Sequence, residues 1–137
     1  MNYLLDTTVV IGMLKNNKKI INEVQRHILK GDIILIDAVS YYEAKRRLIH
    51  TPNRQQEIEL TKLQNKYNIV LHDNLNIFDI AANNWAHLRN FIKARNLKSR
   101  DADNLIASNA IHRNYTVVSH DKHFQQLTSC GLMLERW

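Results

Sequence analysis

Short apolar runs alternate along this chain with longer stretches of helical periodicity, and this alternation restricts the fold more than any other feature. The runs cover residues 3–5, 33–36, 68–71, 115–119 and 132–134. Uniformly apolar strands are typical of parallel sheets that are covered on both faces. We therefore predict an α/β fold: a doubly wound, mainly parallel sheet of four to five strands with helices on both faces.

The length and the small number of turn-forming residues favour one helix-rich domain. The chain has 137 residues, only three glycines and one proline, and it contains no repeat or linker-like segment. Few glycines and prolines indicate short connections rather than the many turns of an all-β fold. We therefore predict a single domain spanning residues 1–137.

The composition also limits which cellular compartment and which binding partners we expect. The single cysteine, Cys130, excludes an internal disulfide. No apolar run approaches the roughly 18 residues that a membrane span requires, and Asp6 interrupts the first run too early for a signal peptide. We expect a cytoplasmic protein without a membrane partner. The formal charge of +6 favours a polyanionic partner, most often nucleic acid.

Helical spacing predicts helices near residues 18–30, 40–49, 53–66, 77–92 and 102–114, in addition to one that begins at Thr7 or Thr8. Thr7 or Thr8 is expected to cap that first helix, and Asp101 is expected to cap the last. In the helix at 77–92, we expect Trp85 and Phe91 to lie in the core or in a dimer interface.

Four acidic residues are expected to meet at one edge of the predicted sheet. Asp6, Glu43 and Asp121 each follow the carboxyl end of a strand, and Asp103 begins a helix that runs back from the same edge. Asp37 also ends a strand, but it is interpreted as a loop or supporting residue. Each acid also has a purely structural explanation, such as a helix cap; Glu43 could complete a capping box with Ser40.

Carboxylates that crowd together repel one another unless a cation lies among them. Oxygen ligands suit Mg²⁺ or Mn²⁺, which retain water molecules and bridge to phosphates. An acidic metal pocket in a basic protein therefore points to phosphodiester hydrolysis.

The same residues resemble a known family. Leu4-Leu5-Asp6-Thr7, the block 103–107 (Asp-Asn-Leu-Ile-Ala) and the block 117–124 (Val-Val-Ser-His-Asp-Lys-His-Phe) are similar to the motifs of PIN domains. The order and length of the chain resemble, more narrowly, the VapC-type toxins of type II toxin–antitoxin modules. Departures are Ala44, where leucine is more usual after the glutamate, and the additional carboxylate of Asp101.

This resemblance implies a metal-dependent endoribonuclease that is inhibited by a cognate VapB-like antitoxin and tends to form a homodimer. Asp6, Glu43, Asp103 and Asp121 take the four acidic catalytic positions, and Asp6 and Asp103 would bind Mg²⁺ or Mn²⁺. The resemblance also implies supporting roles for Thr7 and Ser119. Asp101 competes with Asp103 as the ligand, and the motif spacing favours Asp103.

The sequence is also compatible with other functions. A non-catalytic PIN-fold module that binds RNA or protein would keep the fold and the acids. A receiver-like phosphoacceptor domain fits less well, because only Asp6 follows the first strand. His120, His123 and Cys130 do not supply the four clustered ligands of a structural zinc site. A basic stretch could guide RNA or could form a solvated helix face; it comprises Arg89, Lys93, Arg95, Lys98 and Arg100.

Overall fold

Five strands form one parallel sheet at the centre of the molecule. The computed structural model describes residues 1–137, except for the side chain of Lys98. The strands follow the order β3-β2-β1-β4-β5, and every neighbouring pair is parallel. Their bounds are β1 Asn2–Leu5, β2 Ile33–Asp37, β3 Asn68–Val70, β4 Thr116–Val118 and β5 Met133–Glu135.

The register brings the carboxyl ends of the three central strands level with one another. Leu5, the last residue of β1, pairs with Ile36 of β2 and with Val118 of β4. The backbone N–H of Asp6 then donates to the Val118 carbonyl at 3.1 Å. Residues that follow β1 and β4 therefore leave the sheet side by side.

Seven α-helices connect the strands, and two 3-10 helices supplement them. The 3-10 helices are Lys98–Arg100 and Lys122–Cys130. The α-helices are α1 Thr7–Leu14, α2 Lys18–Leu29, α3 Ala38–His50, α4 Arg54–Lys66, α5 Leu75–Leu88, α6 Ala94–Leu97 and α7 Asp101–Arg113. Gly31 permits the turn from α2 into β2, because its φ of 91° lies in the left-handed region.

Two apolar cores cover the two faces of the sheet. Leu5 points to a core shared with the helices α1 to α4, where Val9 and Leu48 pack. Leu4, its neighbour, points to the opposite core beside Ile106 of α7 and Phe124. Burial of each such side chain contributes about 1.5–3 kcal/mol. The predicted doubly wound sheet with helices on both faces is confirmed.

The helix predicted at residues 77–92 is shorter than expected. The helix α5 ends at Leu88, so Phe91 lies beyond it and is exposed, as is Trp85. Of the two positions expected for these aromatic residues, the core is therefore wrong, and the dimer interface stays a prediction. Among the described residues, no helix combines the length and apolarity that crossing a bilayer requires.

Candidate active site

Asp6 is fixed where β1 gives way to α1. Its side chain is 2% exposed, and it is the N-cap of α1: Oδ1 accepts from the Val9 N–H at 3.1 Å. The Thr8 hydroxyl also donates to Oδ1, at 2.7 Å. The prediction that Thr7 or Thr8 caps α1 was wrong, because the carboxylate reaches the free N–H groups first.

Ser119 connects the exits of β1 and β4. Its buried hydroxyl donates to Asp6 Oδ2 at 2.5 Å and accepts from the Asp121 N–H at 2.9 Å. One residue further on, the His120 N–H donates to the Thr8 hydroxyl at 3.0 Å. Both Asp6 oxygens are therefore held by hydroxyl groups that the two loops position.

Glu43 reaches this edge from the second turn of α3, and its side chain is partly exposed. Its Oε1 accepts from the Thr7 hydroxyl at 2.5 Å, and its Oε2 lies 3.3 Å from an Arg46 nitrogen. The capping-box interpretation was wrong, because Asp37 is the N-cap of α3 and Ser40 lies inside the helix. Within the described part of the chain, the Ser40 hydroxyl has no hydrogen-bond partner.

Asp103 and Asp121 approach each other around His123. The Nδ1 atom of His123 lies 3.8 Å from Asp103 Oδ2 and 3.4 Å from Asp121 Oδ1. One oxygen or nitrogen from each of these three residues lies within 4.8 Å of the others. The first turn of α7 and the start of the second 3-10 helix thus supply a compact group of donor atoms.

The electrostatics show that the acids share one neighbourhood. Burial raises the pKa of Asp6 to about 6, and the charge of Asp121 adds to this, although hydrogen bonds from Ser119 and Thr8 oppose it. Burial also raises the pKa of Asp103 to about 7, reinforced by the charges of Asp121, Asp6 and Glu43. Such repulsion favours a cation at this position.

Asp101 is directed elsewhere. It is exposed and lines a shallow groove of α5 and α7 that also includes Phe78 and Trp85. The prediction that Asp101 caps α7 was wrong, because Arg100 occupies the N-cap position and no side chain caps the helix there. Of the two candidate acids, Asp103 is the one beside Asp121.

Two residues beside the four acids, Thr8 and His123, were not assigned to the site from the sequence. The role of Thr8 was left open between capping α1 and touching the site, and its hydroxyl binds Asp6; His123, which was missed, faces two carboxylates. The spacing Asp121-x-His123 after a strand could have indicated the second. In the basic stretch, Arg100 binds Gln126, whereas the side chain of Lys98 lies outside the described residues.

The fold and these motifs agree with a family comparison. The PIN domain model matches residues 3–129. The chain therefore belongs to the PIN domain family. It is 30% identical to Ribonuclease VapC1 of Haemophilus influenzae (strain R2866) over 129 residues, which is 93% of each protein.

Solved structures show the same fold. One is VapBC-1 from nontypeable Haemophilus influenzae, at 25% identity and a TM-score of 0.78, covering 100% of this chain and 98% of that one. Another is VapBC2 from Rickettsia felis bound to a DNA fragment from their promoter, at 21% identity and a TM-score of 0.82, covering 100% and 99%.

Proposed function

We propose that this protein is a Mg²⁺- or Mn²⁺-dependent endoribonuclease of the cytoplasm, and the toxin of a VapBC-like toxin–antitoxin module. The observation that carries the proposal is the approach of four acids from four separate segments, Asp6, Glu43, Asp103 and Asp121. The ribonuclease name of the Haemophilus relative and the VapBC structures support the same function.

The donor set fits a divalent cation. Burial, together with the charges of Asp121, Asp6 and Glu43, raises the pKa of Asp103 to about 7, although the charge of Arg100 opposes the rise, so a cation bound among these acids would stabilise their deprotonated forms. Carboxylate oxygens that remain partly open to solvent suit ions that keep some of their water. Asp6 and Asp103 would hold the ion, which supplies charge neutralisation for the phosphate and activation of a water molecule.

The remaining residues orient these groups. The Thr7 hydroxyl and Arg46 fix the Glu43 carboxylate, which would orient the attacking water toward phosphorus. Ser119 and Thr8 fix the two Asp6 oxygens, so Asp6 cannot turn away from the site. The excess of cations, +6 over the whole chain, would bind the RNA backbone.

The proposal includes partners. We infer a VapB-like antitoxin as the inhibitor, supported by the VapBC neighbours. We also infer a homodimer of single-domain subunits spanning residues 1–137. The exposed aromatic side chains Phe78 and Trp85 on α5 support such an interface, because aromatic residues are enriched where proteins associate.

The direct test is RNA cleavage by the purified protein with Mg²⁺, Mn²⁺ or excess EDTA. Asp6→Asn removes a ligand while keeping the size of the side chain, so we expect cleavage to fall by more than about 100-fold. Asp79→Asn, which alters an exposed acid on α5, is the charge-matched control and should cleave normally. Full activity of Asp6→Asn, or in EDTA, would contradict the proposal.

A cellular test separates a toxin from a non-catalytic binding module. Expression without an antitoxin should arrest growth, and Asp6→Asn should relieve the arrest. Harmless expression of the folded wild-type protein would instead favour the binding module.

A further inference from the structure

His123 lies at the edge of the acidic cluster, which is formed by Asp6, Glu43, Asp103 and Asp121. It lies in the first turn of the 3-10 helix Lys122–Cys130, where its N–H donates to Asp121 Oδ1 at 2.9 Å. This bond fixes the backbone from which the imidazole projects. The ring is 37% exposed, so one side faces solvent while Nδ1 faces the carboxylates.

The distances at Nδ1 match those between ligands of one ion. Two ligands about 2.1 Å from a shared ion lie about 3.0 Å apart at a right angle and about 4.2 Å apart on opposite sides. Nδ1 lies 3.4 Å from Asp121 Oδ1 and 3.8 Å from Asp103 Oδ2, within that interval. The three side chains could therefore contact one ion after small rotations.

We propose that His123 is a nitrogen ligand of the ion held at the acidic cluster, and that it makes the site select Mn²⁺ over Mg²⁺. This inference rests on the proposed metal-dependent function, and it adds to the oxygen ligands a residue outside the four acids.

The selectivity follows from ligand chemistry. Mg²⁺ is a hard cation that takes oxygen ligands in a near-ideal octahedron, so a nitrogen ligand adds little to its binding. First-row transition ions accept imidazole more readily, and Mn²⁺ combines this with a preference for carboxylates. Asp103, Asp121 and His123 together provide such a mixed donor set.

His120 provides a matched control only three residues away. Its ring Nε2 contacts the Trp137 carbonyl, and its N–H binds the Thr8 hydroxyl through the backbone. The imidazole of His120 is therefore already engaged on a partner outside the cluster. Replacing it removes a histidine from the same loop without removing the proposed ligand.

The experiment uses the full-length protein and Mn²⁺ alone as the probe. Electron spin echo envelope modulation of bound Mn²⁺ should show ¹⁴N coupling in the wild type and in His120→Asn. The coupling should vanish in His123→Asn, and the Mn²⁺ affinity by calorimetry should fall about tenfold or more, with little change for Mg²⁺. Circular dichroism checks that each variant is folded.

A second variant keeps the inference testable if His123→Asn is unstable. His123→Glu replaces nitrogen with oxygen, so Mn²⁺ should still bind, without ¹⁴N coupling, and the preference over Mg²⁺ should shrink.

The inference is overturned if wild-type Mn²⁺ shows no nitrogen coupling, if the coupling survives in His123→Asn, or if Mg²⁺ and Mn²⁺ affinities fall equally. In these cases RNA cleavage that depends on Asp6 would leave the proposed function standing. Absence of divalent binding and of cleavage in the wild type would overturn both.

Discussion

Asp6 and Asp37 occupy equivalent places on neighbouring strands but have opposite surroundings. Each follows or ends a parallel strand, caps the next helix and is almost fully buried. Asp37 is surrounded by donors: its oxygens lie 2.8 Å from the Asn109 amide and 2.9 Å from the His72 ring. Asp6 is also hydrogen-bonded, but it lies beside other carboxylates.

This contrast shows that position at the strand ends does not by itself make a site. At Asp37, an imidazole and an amide compensate the buried charge, so the residue joins β2, α3 and α7 together. At Asp6, burial raises the pKa to about 6 and the charge of Asp121 adds to the rise, although hydrogen bonds from Ser119 and Thr8 oppose it. A buried group whose charge the protein does not balance is where we expect a ligand to contribute.

The largest expected difference between the surroundings of Asp37 and those of Asp6 is in the free energy of unfolding. Asp37→Asn removes the buried charge that accepts from His72, Asn109 and the Val39 N–H, so we expect a loss of about 3 kcal/mol in the free energy of unfolding. Urea denaturation measures this loss. Cleavage per folded molecule should persist, whereas loss of cleavage at full stability would place Asp37 in the catalytic machinery.

The next effect is a pH dependence that Asp103 introduces. Its pKa is raised from 3.8 to about 7, so its stabilising contribution is complete below its unfolded pKa and is lost as pH rises through about 7. Without divalent ions, Asp103→Asn should be more stable than the wild type at pH 8, by about 2 kcal/mol. The difference should disappear near pH 4.

Thermal unfolding from pH 4 to 8 measures this difference, and added Mn²⁺ should reduce it by stabilising the wild type. A difference in stability between the wild type and Asp103→Asn that does not grow from pH 4 to 8 in the absence of metal would contradict the raised pKa of Asp103.

A smaller effect is expected at Ser119. Ser119→Ala removes the donor to Asp6 Oδ2 and the acceptor for the Asp121 N–H, so both carboxylates lose orientation. We expect cleavage to fall about tenfold at saturating Mn²⁺. Thr116→Val is the matched control, because this buried β4 hydroxyl has no partner among the described residues. Equal losses in both variants would indicate packing rather than orientation.

The smallest effect is expected at Asp101. Because its side chain is exposed and lines the groove with Phe78 and Trp85, Asp101→Asn should change cleavage by less than about twofold. A loss as large as that of Asp103→Asn in the same RNA assay would show that the two acids share the metal.

The fold was largely predictable because the signals that determine it are local. Apolar runs of strand length and helical spacing between them specified the alternation, including the separate helices predicted at 40–49 and 53–66, between which Pro52 lies. The predicted caps, Thr7 or Thr8 for α1 and Asp101 for α7, were wrong, as was the alternative explanation of Glu43 by a capping box with Ser40. Several polar residues lie near each of these helix starts, and only the three-dimensional geometry decides which of them reaches a free N–H: Asp6 does so at α1 and Asp37 at α3, whereas no side chain does so at α7.

The acidic residues of the candidate site could be grouped from the sequence, but the hydrogen bonds that hold them in place could not be predicted. Parallel strands bring their carboxyl ends to one edge, so Asp6, Glu43, Asp103 and Asp121 could be grouped from their spacing and from the family resemblance. The bonds from Thr7 to Glu43 and from Ser119 to Asp6 join residues 36 and 113 positions apart. Such pairs carry no periodic signal in a single sequence.

The sequence by itself determined the parallel α/β architecture, the edge at which acids collect and the excess of positive charge. Only the tertiary structure decided which buried acids have hydrogen-bond donors around their charge, because those donors come from distant segments of the chain. It placed His72 and Asn109 against Asp37, and it placed His123 between Asp103 and Asp121. Strand order and register, which a single sequence does not encode locally, set those distances.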